Sequence, residues 1–192
     1  MAKITKGLVL ASASPRRLDL LKKINIIPEI IQAAHIDEST KKKEKPILYC
    51  SRLAKEKGDF VFQKYPEMTI LSADTIVFCA NKIFGKPKSK DEARSFLTFF
   101  SGRKHNVLTS IYLRNKNHTK IKNIITKVTF YRLDKTDIEM YLETEEWKNK
   151  AGAYAIQGYA ERFVKIVNGS FSNVVGLPLP QVYSFLKFIN LV

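Results

Sequence analysis

Short apolar runs with the pattern of buried strands alternate along this chain with segments that have the spacing of helices. The opening is the clearest case: residues 6–11 are predicted to form a buried strand, residues 12–14 break it, and Pro15 suits the first position of a helix that continues to residue 24. Interleaved strands and helices, with antiparallel hairpins among them, predict an α/β fold with a mixed sheet flanked by helices. The length of 192 residues fits a single domain over 1–192, as one body or two tightly joined lobes.

The same patterns place the remaining elements. Further strands are predicted at 26–33, 69–73, 106–114, 121–132 and 163–167, a hairpin at 76–84, and helices at 46–65, 91–100, 135–145 and 178–189. Ser89 is expected to cap the helix at 91–100, and Gly102 lies just past its end. Residues 35–45 are polar and are predicted to form a loop.

Composition narrows the class of protein. Apolar residues make up 45% and charged residues 27%, as in a folded soluble protein. No apolar run reaches the roughly 20 residues that span a bilayer, and the run at 7–11 is too short for a signal-peptide core, so we expect a cytoplasmic protein that has no membrane partner. Cys50 and Cys79 form no CxxC motif or Cys/His cluster, which disfavours a zinc site and predicts two buried thiols.

The formal net charge of +15 favours an anionic partner without identifying it. A nucleic acid is one candidate, because a basic surface binds phosphates through counterion release. However, lysines outnumber arginines by 25 to 8 and are spread along the chain, and a Lys-rich composition with much Ile and Asn also arises from coding bias. The dense run at 41–45 is interpreted as a solvated loop.

The turn after the first strand is a candidate anion site. Ser12, Ser14 and Arg16 lie between a strand and a helix N-terminus, where free N–H groups, hydroxyls and a planar guanidinium match phosphate oxygens. A helix cap followed by two solvated arginines explains the same residues, and the local sequence gives the two readings equal weight.

Two other loops carry residues suited to phosphate chemistry. Asp74 ends a predicted buried strand, where a carboxylate can hold a hard cation or take a proton from water, although an isolated Asp more often forms a turn. Lys86 projects a charge from a Gly-Lys-Pro loop. The sequence has no GxxxxGK[ST] motif, which disfavours an ordinary P-loop NTPase.

These segments together resemble the motifs of the Maf family of nucleotide pyrophosphatases over nearly the whole chain. The matching stretches, in the family's order, are SASPRR at 12–17, RLAKEK at 52–57, ADT at 73–75, GKP at 85–87, AGAYAIQG at 151–158 and GSFSNVVGLPL at 169–179. The departures are Ser72 where Gly is usual, Ala155 in place of a common Gly, and Glu161 and Arg162 where small residues are frequent. None of them removes a charged group that the chemistry requires.

The resemblance implies an elongated α/β fold with a cleft between two lobes, related to the inosine triphosphatases. It also implies hydrolysis of a nucleoside triphosphate between the α and β phosphates. The AGAYxIQG form of the motif is similar to the branch that acts on dTTP and UTP, whereas the sibling branch prefers 7-methyl-GTP. Gln157 is the residue expected to read the base or the sugar.

The resemblance also implies roles for individual residues. Arg16, Lys57 and Lys86 would neutralise the triphosphate, Ser12 and Ser14 would hold its oxygens, and Thr75 would help to set specificity. Glu38 and Asp74 would coordinate Mg²⁺ or Mn²⁺, with Asp74 as the base. From the local sequence alone, most residues like Lys57 and Glu38 are solvated, so their assignment rests on the family pattern. Arg17 is expected to pack or pair.

Three other functions compete with this reading. The alternatives are a basic nucleic-acid-binding protein without catalytic activity, a phosphatase that releases orthophosphate stepwise, and a pyrophosphatase of the 7-methyl-GTP branch. A nucleic-acid partner offers no reason for Glu38 and Asp74, which disfavours the first alternative. The family resemblance also favours a homodimer.

Overall fold

The computed structural model describes residues 3–192, which form seven strands and six α-helices. The strands are β1 (Lys3–Ala11), β2 (Ile26–Ile31), β3 (Thr69–Cys79), β4 (Lys82–Phe84), β5 (Lys104–Arg114), β6 (Thr119–Phe130) and β7 (Val164–Asn168). The helices are α1 (Pro15–Lys23), α2 (Pro46–Lys64), α3 (Lys90–Phe100), α4 (Lys135–Glu143), α5 (Phe171–Val175) and α6 (Leu179–Phe188), with 3₁₀ helices at Ala151–Ala153 and Tyr159–Phe163.

The strands form one mixed sheet in the order β2-β1-β3-β5-β6-β7, and β4 pairs with β3. Strand β1 is parallel to β2 and to β3, while β4 is antiparallel to β3 and β7 is antiparallel to β6. The predicted α/β fold with a mixed sheet flanked by helices is therefore confirmed.

The chain divides into two compact units. The first comprises the chain up to Asp74 together with Thr109–Ile124 and Gly176–Val192, and the second comprises Thr75–Leu108 and Ile125–Val175. Strands β3, β5 and β6 therefore each contribute residues to both units. The boundary in β3 falls within the Ala-Asp-Thr motif, so Asp74 belongs to the first unit and Thr75 to the second.

A glycine brings α2 close to the sheet in the first unit. A Cβ added at Gly58 would lie 2.4 Å from Cδ1 of Tyr112 and 2.7 Å from Oγ of Ser72. The hydroxyl of Ser72 donates a 2.6 Å hydrogen bond to the carbonyl of Ala54, one turn earlier on the same helix. These contacts fix α2, and with it Lys57, at short range from β3.

Aromatic residues dominate the core of the second unit. Phe100, Phe130 and Tyr154 surround His105, with ring centroids 4.3 to 5.5 Å from the imidazole. Burial lowers the pKa of His105 to about 3, so the ring is neutral and acts as a core side chain. Its Nε2 lies 2.9 Å from the hydroxyl of Tyr154.

Most predicted elements are present, with shifted ends. Strand β3 runs on through residue 74 to Cys79 instead of ending at 73, and the hairpin turns at Ala80-Asn81. Ser89 caps α3, as predicted, by accepting from the amide of Glu92. The sequence analysis did not predict the two 3₁₀ helices or α5. Cys50 is a buried thiol as predicted, but Cys79 is only partly buried. Within residues 3–192, none of the helices is long and apolar enough to cross a membrane.

Candidate active site

The register of the parallel strands places Asp74 beside the serine-rich turn. The last residue of β1, Ala11, pairs with Ser72 of β3, and β1 then ends in the turn at residues 12–14. Asp74 lies two residues further along β3, on the same face as Ser72. The buried carboxylate of Asp74 therefore lies beyond the end of β1, beside the turn that follows it.

Lys57 joins the two carboxylates that the sequence analysis had singled out. Its Nζ lies 2.6 Å from Oδ1 of Asp74 and 2.8 Å from Oε1 of Glu38. The side chains of Lys57 and Asp74 are only 12% and 10% exposed, so the alternative that Lys57 is a solvated helix residue is wrong. Glu38 is more open, with 45% of its side chain exposed.

The surroundings of Asp74 suit a proton acceptor. Burial raises the pKa of Asp74, while Lys57 and Arg17 oppose this rise and the charge of Glu38 adds to it. The backbone carbonyl of Asp74 accepts a 3.2 Å hydrogen bond from the thiol of Cys50. Its Oδ2 has no hydrogen-bond partner among residues 3–192, which leaves one carboxylate oxygen for a ligand.

The two arginines of the turn have different surroundings. Arg17 donates from Nη1 to Oγ of Ser12 at 3.0 Å and from Nε to the carbonyl of Gly176 at 2.9 Å, so it pairs within the protein as predicted. Arg16 is partly buried and makes no hydrogen bond or ion pair with any residue the structure describes. Burial and the charge of Arg17 lower the pKa of Arg16. A half-buried cation beside a second cation is the arrangement expected of a turn that binds an anion.

The serines of the turn support the same reading. Ser14 occupies the N-cap position of α1 but makes no side-chain cap hydrogen bond, so the helix-cap alternative fails for its hydroxyl. Oγ of Ser12 accepts from the amide of Ser14 at 3.2 Å as well as from Arg17. A hydroxyl that accepts twice still has its own proton to donate, so neither serine hydroxyl has its donor used by these contacts.

In the second unit, a buried turn carries Gln157. Gly152–Ile156 is buried, Gln157 is exposed, and Gly158 follows. Gly152 has a φ of 71°, and a Cβ added there would lie 2.8 Å from Val77, so only glycine fits. The amide of Gln157 is therefore exposed at the end of a buried segment.

Lys86 and Thr75 also lie in the second unit. Lys86 is exposed and has no hydrogen bond or ion pair among residues 3–192. The amide of Gly152 donates to the carbonyl of Gly85 at 3.0 Å, which ties the loop of Lys86 to the segment that carries Gln157. Thr75 is partly buried within β3.

The carboxylates of the first unit fit a hard divalent cation. Glu38 and Asp74 already bring oxygens to within 2.8 Å of one cationic nitrogen, and Mg²⁺ and Mn²⁺ prefer such oxygens. No cluster of three or more His, Cys, Asp or Glu side chains suited to a metal occurs among residues 3–192. A metal ion here would complete its shell with water and substrate phosphates, as Mg²⁺ commonly does.

Comparison with known proteins identifies the family of the chain. The family model described as "Maf-like protein" matches residues 7–189. The chain belongs to the Maf family. Curated Maf relatives include the dTTP/UTP pyrophosphatase of Zymomonas mobilis, which is 45% identical over 95% of this chain and 91% of its own length.

Two further relatives are similar over nearly their whole lengths. The nucleoside triphosphate pyrophosphatase of Ehrlichia ruminantium (strain Gardel) is 46% identical over 94% of this chain and 95% of its own. The dTTP/UTP pyrophosphatase of a Wolbachia from Brugia malayi is 42% identical over 96% of this chain and 95% of its own.

Two residues that contact the loop carrying Glu38 were not predicted from the sequence. The hydroxyl of Tyr49 donates to the carbonyl of Glu38 at 2.8 Å, and Arg52 binds the loop that carries Glu38. The position of Arg52 in the RLAKEK stretch was visible in the sequence. The pairing of Arg52 with Glu44 could not be predicted, because that contact depends on how the intervening loop folds.

Proposed function

We propose that this protein hydrolyses nucleoside triphosphates, dTTP and UTP in particular, to the monophosphate and pyrophosphate. The observation that carries the proposal is the buried contact of Lys57 with Asp74 and Glu38, in the unit that also contains Arg16, a half-buried guanidinium without a partner in residues 3–192. The names of the relatives from Zymomonas, Ehrlichia and Wolbachia support it.

Asp74 is the proposed general base. Lys57 occupies Oδ1 and fixes the carboxylate, so Oδ2 can take a proton from water. The water oxygen forms a bond to the α phosphorus, the bond from that phosphorus to the bridging oxygen breaks, and pyrophosphate leaves with the bonding electrons. The raised pKa of Asp74 makes it a better proton acceptor than an ordinary carboxylate.

Cations are required because a triphosphate carries roughly four negative charges at neutral pH. Arg16 and the hydroxyls of Ser12 and Ser14 are proposed to hold phosphate oxygens, and Lys86 adds a second cation. Glu38 and Asp74 would hold a Mg²⁺ or Mn²⁺ ion, which supplies charge neutralisation at the phosphates when bound. Gln157 and Thr75 are proposed to set the base preference.

A panel assay tests the function. The protein is incubated with dTTP, UTP, 7-methyl-GTP and ATP, with Mg²⁺ or Mn²⁺, and the products are identified by ³¹P NMR and chromatography. Pyrophosphate with dTMP or UMP supports the proposal. Preference for 7-methyl-GTP would assign the sibling specificity instead, and orthophosphate as the first product would refute cleavage between the α and β phosphates. The cytoplasmic location and the homodimer stay predictions.

A further inference from the structure

Glu38 lies in the segment between β2 and α2, which has no regular secondary structure. Residues 32–45 form no helix or strand, and this 14-residue connection is long for a compact domain, where such loops are generally functional. Glu38 lies in its middle and reaches Nζ of Lys57 at 2.8 Å. An unrestrained loop of this length would lose much conformational entropy each time Glu38 reached that position.

Arg52 of α2 binds this loop with its guanidinium. Nε and Nη2 donate to the two carboxylate oxygens of Glu44 at 2.7 and 2.8 Å, and Nη2 also donates to the carbonyl of Ser39 at 2.9 Å. The third nitrogen, Nη1, donates to Glu56 at 3.1 Å. All three nitrogens are therefore engaged with protein oxygens, in contrast to the unpartnered Arg16, and Arg52 does not serve as a phosphate ligand in this arrangement.

Arg52 holds the loop at two points that both follow Glu38 in the chain. Ser39, which is adjacent to Glu38, and Glu44 at the end of the loop are both held against α2. The guanidinium lies 5.6 Å from the ring centroid of Tyr49, whose hydroxyl donates to the carbonyl of Glu38. The Arg52 and Glu44 side chains are only 15% and 9% exposed, so solvent weakens this paired ionic contact less than it would at an open surface.

We infer that Arg52 is a positioning residue that holds the 32–45 loop on α2 and so places Glu38 opposite Asp74 for metal and triphosphate binding. The inference rests on the proposed function of that site. Arg52 acts through Glu44, Ser39 and Tyr49 and does not touch substrate. Residues behind a metal ligand typically change metal affinity by about 10- to 100-fold when they are removed.

The experiment measures binding separately from turnover. Mn²⁺ is titrated into the full-length protein without nucleotide, with free Mn²⁺ followed by electron paramagnetic resonance, and KM and kcat are then measured with dTTP. The variants are Arg52→Ala, Glu44→Gln and the double variant. Arg94→Ala is the matched control, because Arg94 makes the same two-pronged contact with Glu139, at 2.5 and 3.0 Å, in the second unit.

The expected result is a loss of about 10-fold or more in Mn²⁺ affinity in both single variants. KM should rise while kcat at saturating metal changes little, and Arg94→Ala should bind Mn²⁺ like the wild type. The double variant should be no worse than Arg52→Ala, because that change already removes the contact between Arg52 and Glu44. Glu44→Gln keeps the shape of the side chain, so it tests the inference even if Arg52→Ala does not fold.

Wild-type Mn²⁺ affinity in both single variants would overturn the inference. A loss of Mn²⁺ affinity in Arg94→Ala as large as that in Arg52→Ala would also overturn it, because the effect would then not depend on the 32–45 loop. These outcomes are distinct from failure of the proposed function, which would appear as a wild-type protein that forms no pyrophosphate.

Discussion

Gly58→Ala tests whether the close approach of α2 to the sheet matters for both stability and activity. Gly58 is within a helix, where alanine would ordinarily be favoured by roughly 0.5–1 kcal/mol. Here the new methyl group would lie 2.4 Å from Cδ1 of Tyr112 and 2.7 Å from Oγ of Ser72. Tyr112 is 2% exposed and its hydroxyl is bound to Asp59 at 2.7 Å, so the ring cannot move aside freely.

The cost of packing the added methyl group should exceed the gain from the higher helix propensity of alanine. Forcing a methyl group into a filled core typically costs about 1–3 kcal/mol, and a contact as short as 2.4 Å belongs at the upper end. After the helix gain is subtracted, we expect Gly58→Ala to lower the free energy of unfolding by about 1–2 kcal/mol. For a chain of this size that corresponds to a fall in Tm of roughly 2–8 °C.

The activity should fall as well, because Lys57 is the adjacent residue. A shift of α2 away from β3 would lengthen the 2.6 Å contact from Lys57 to Asp74, so kcat/KM should decrease even well below Tm. Gly85→Ala is the control for stability, since no atom of residues 3–192 outside its own chain neighbours lies within 4 Å of a Cβ added there. A Gly58→Ala variant with unchanged or higher Tm would refute the packing argument.

Five further residues and one pH profile give separate predictions. Asp74→Asn should lower kcat by about 10²-fold or more, the usual range for a general base, with unchanged far-ultraviolet circular dichroism; retained turnover would remove Asp74 from the mechanism. Because burial raises the pKa of Asp74, kcat/KM should rise with pH through a value above that of an ordinary Asp. Lys57→Met should move this rise to still higher pH, since it deletes a charge that lowers that pKa. If the rise stays at the same pH, Asp74 is not the group whose deprotonation causes it. Arg16→Ala should raise KM for dTTP without lowering Tm, while Arg17→Ala should lower Tm because it loses its bonds to Ser12 and Gly176; equal Tm values would contradict this contrast. Gln157→Ala should reduce the preference among bases more than it slows the best substrate, and an unchanged panel of relative rates would exclude its role.

The sequence predicted most elements because their hydrophobic periods are strong. The sequence correctly predicted the strand, turn and helix at residues 6–24 and the cap at Ser89. Helix capping and side-chain period depend on residues only a few positions apart, so short stretches of sequence determine them. The two 3₁₀ helices and α5 were missed because they are three to five residues long, too short for a periodic pattern. Strand β3 was ended too early at residue 73, since a buried Asp in mid-strand has the local signature of a turn.

The site was harder to predict than the fold because its contacts join distant parts of the chain. Lys57 and Asp74 are 17 residues apart, and their pairing follows from how α2 packs on β3 and not from either segment alone. The sequence could equally place Lys57 in solvent, and only the family resemblance favoured the site. The bond between Arg52 and Glu44 had no such support, because it depends on the path of an irregular loop.

Ser72, which stands where the family usually has Gly, shows how the surrounding packing can accommodate a different residue next to the site. Gly is usual there in the family, and a serine would ordinarily bring an extra polar group into the core. Ser72 is fully buried, and its hydroxyl donates to the carbonyl of Ala54, so the polar atom has a partner and does not incur the cost of an unsatisfied donor. The same Oγ lies 2.7 Å from where a Cβ at Gly58 would be. Ser72 is therefore compatible with α2 only because residue 58 has no side chain, and the two positions are coupled through the helix that carries Lys57.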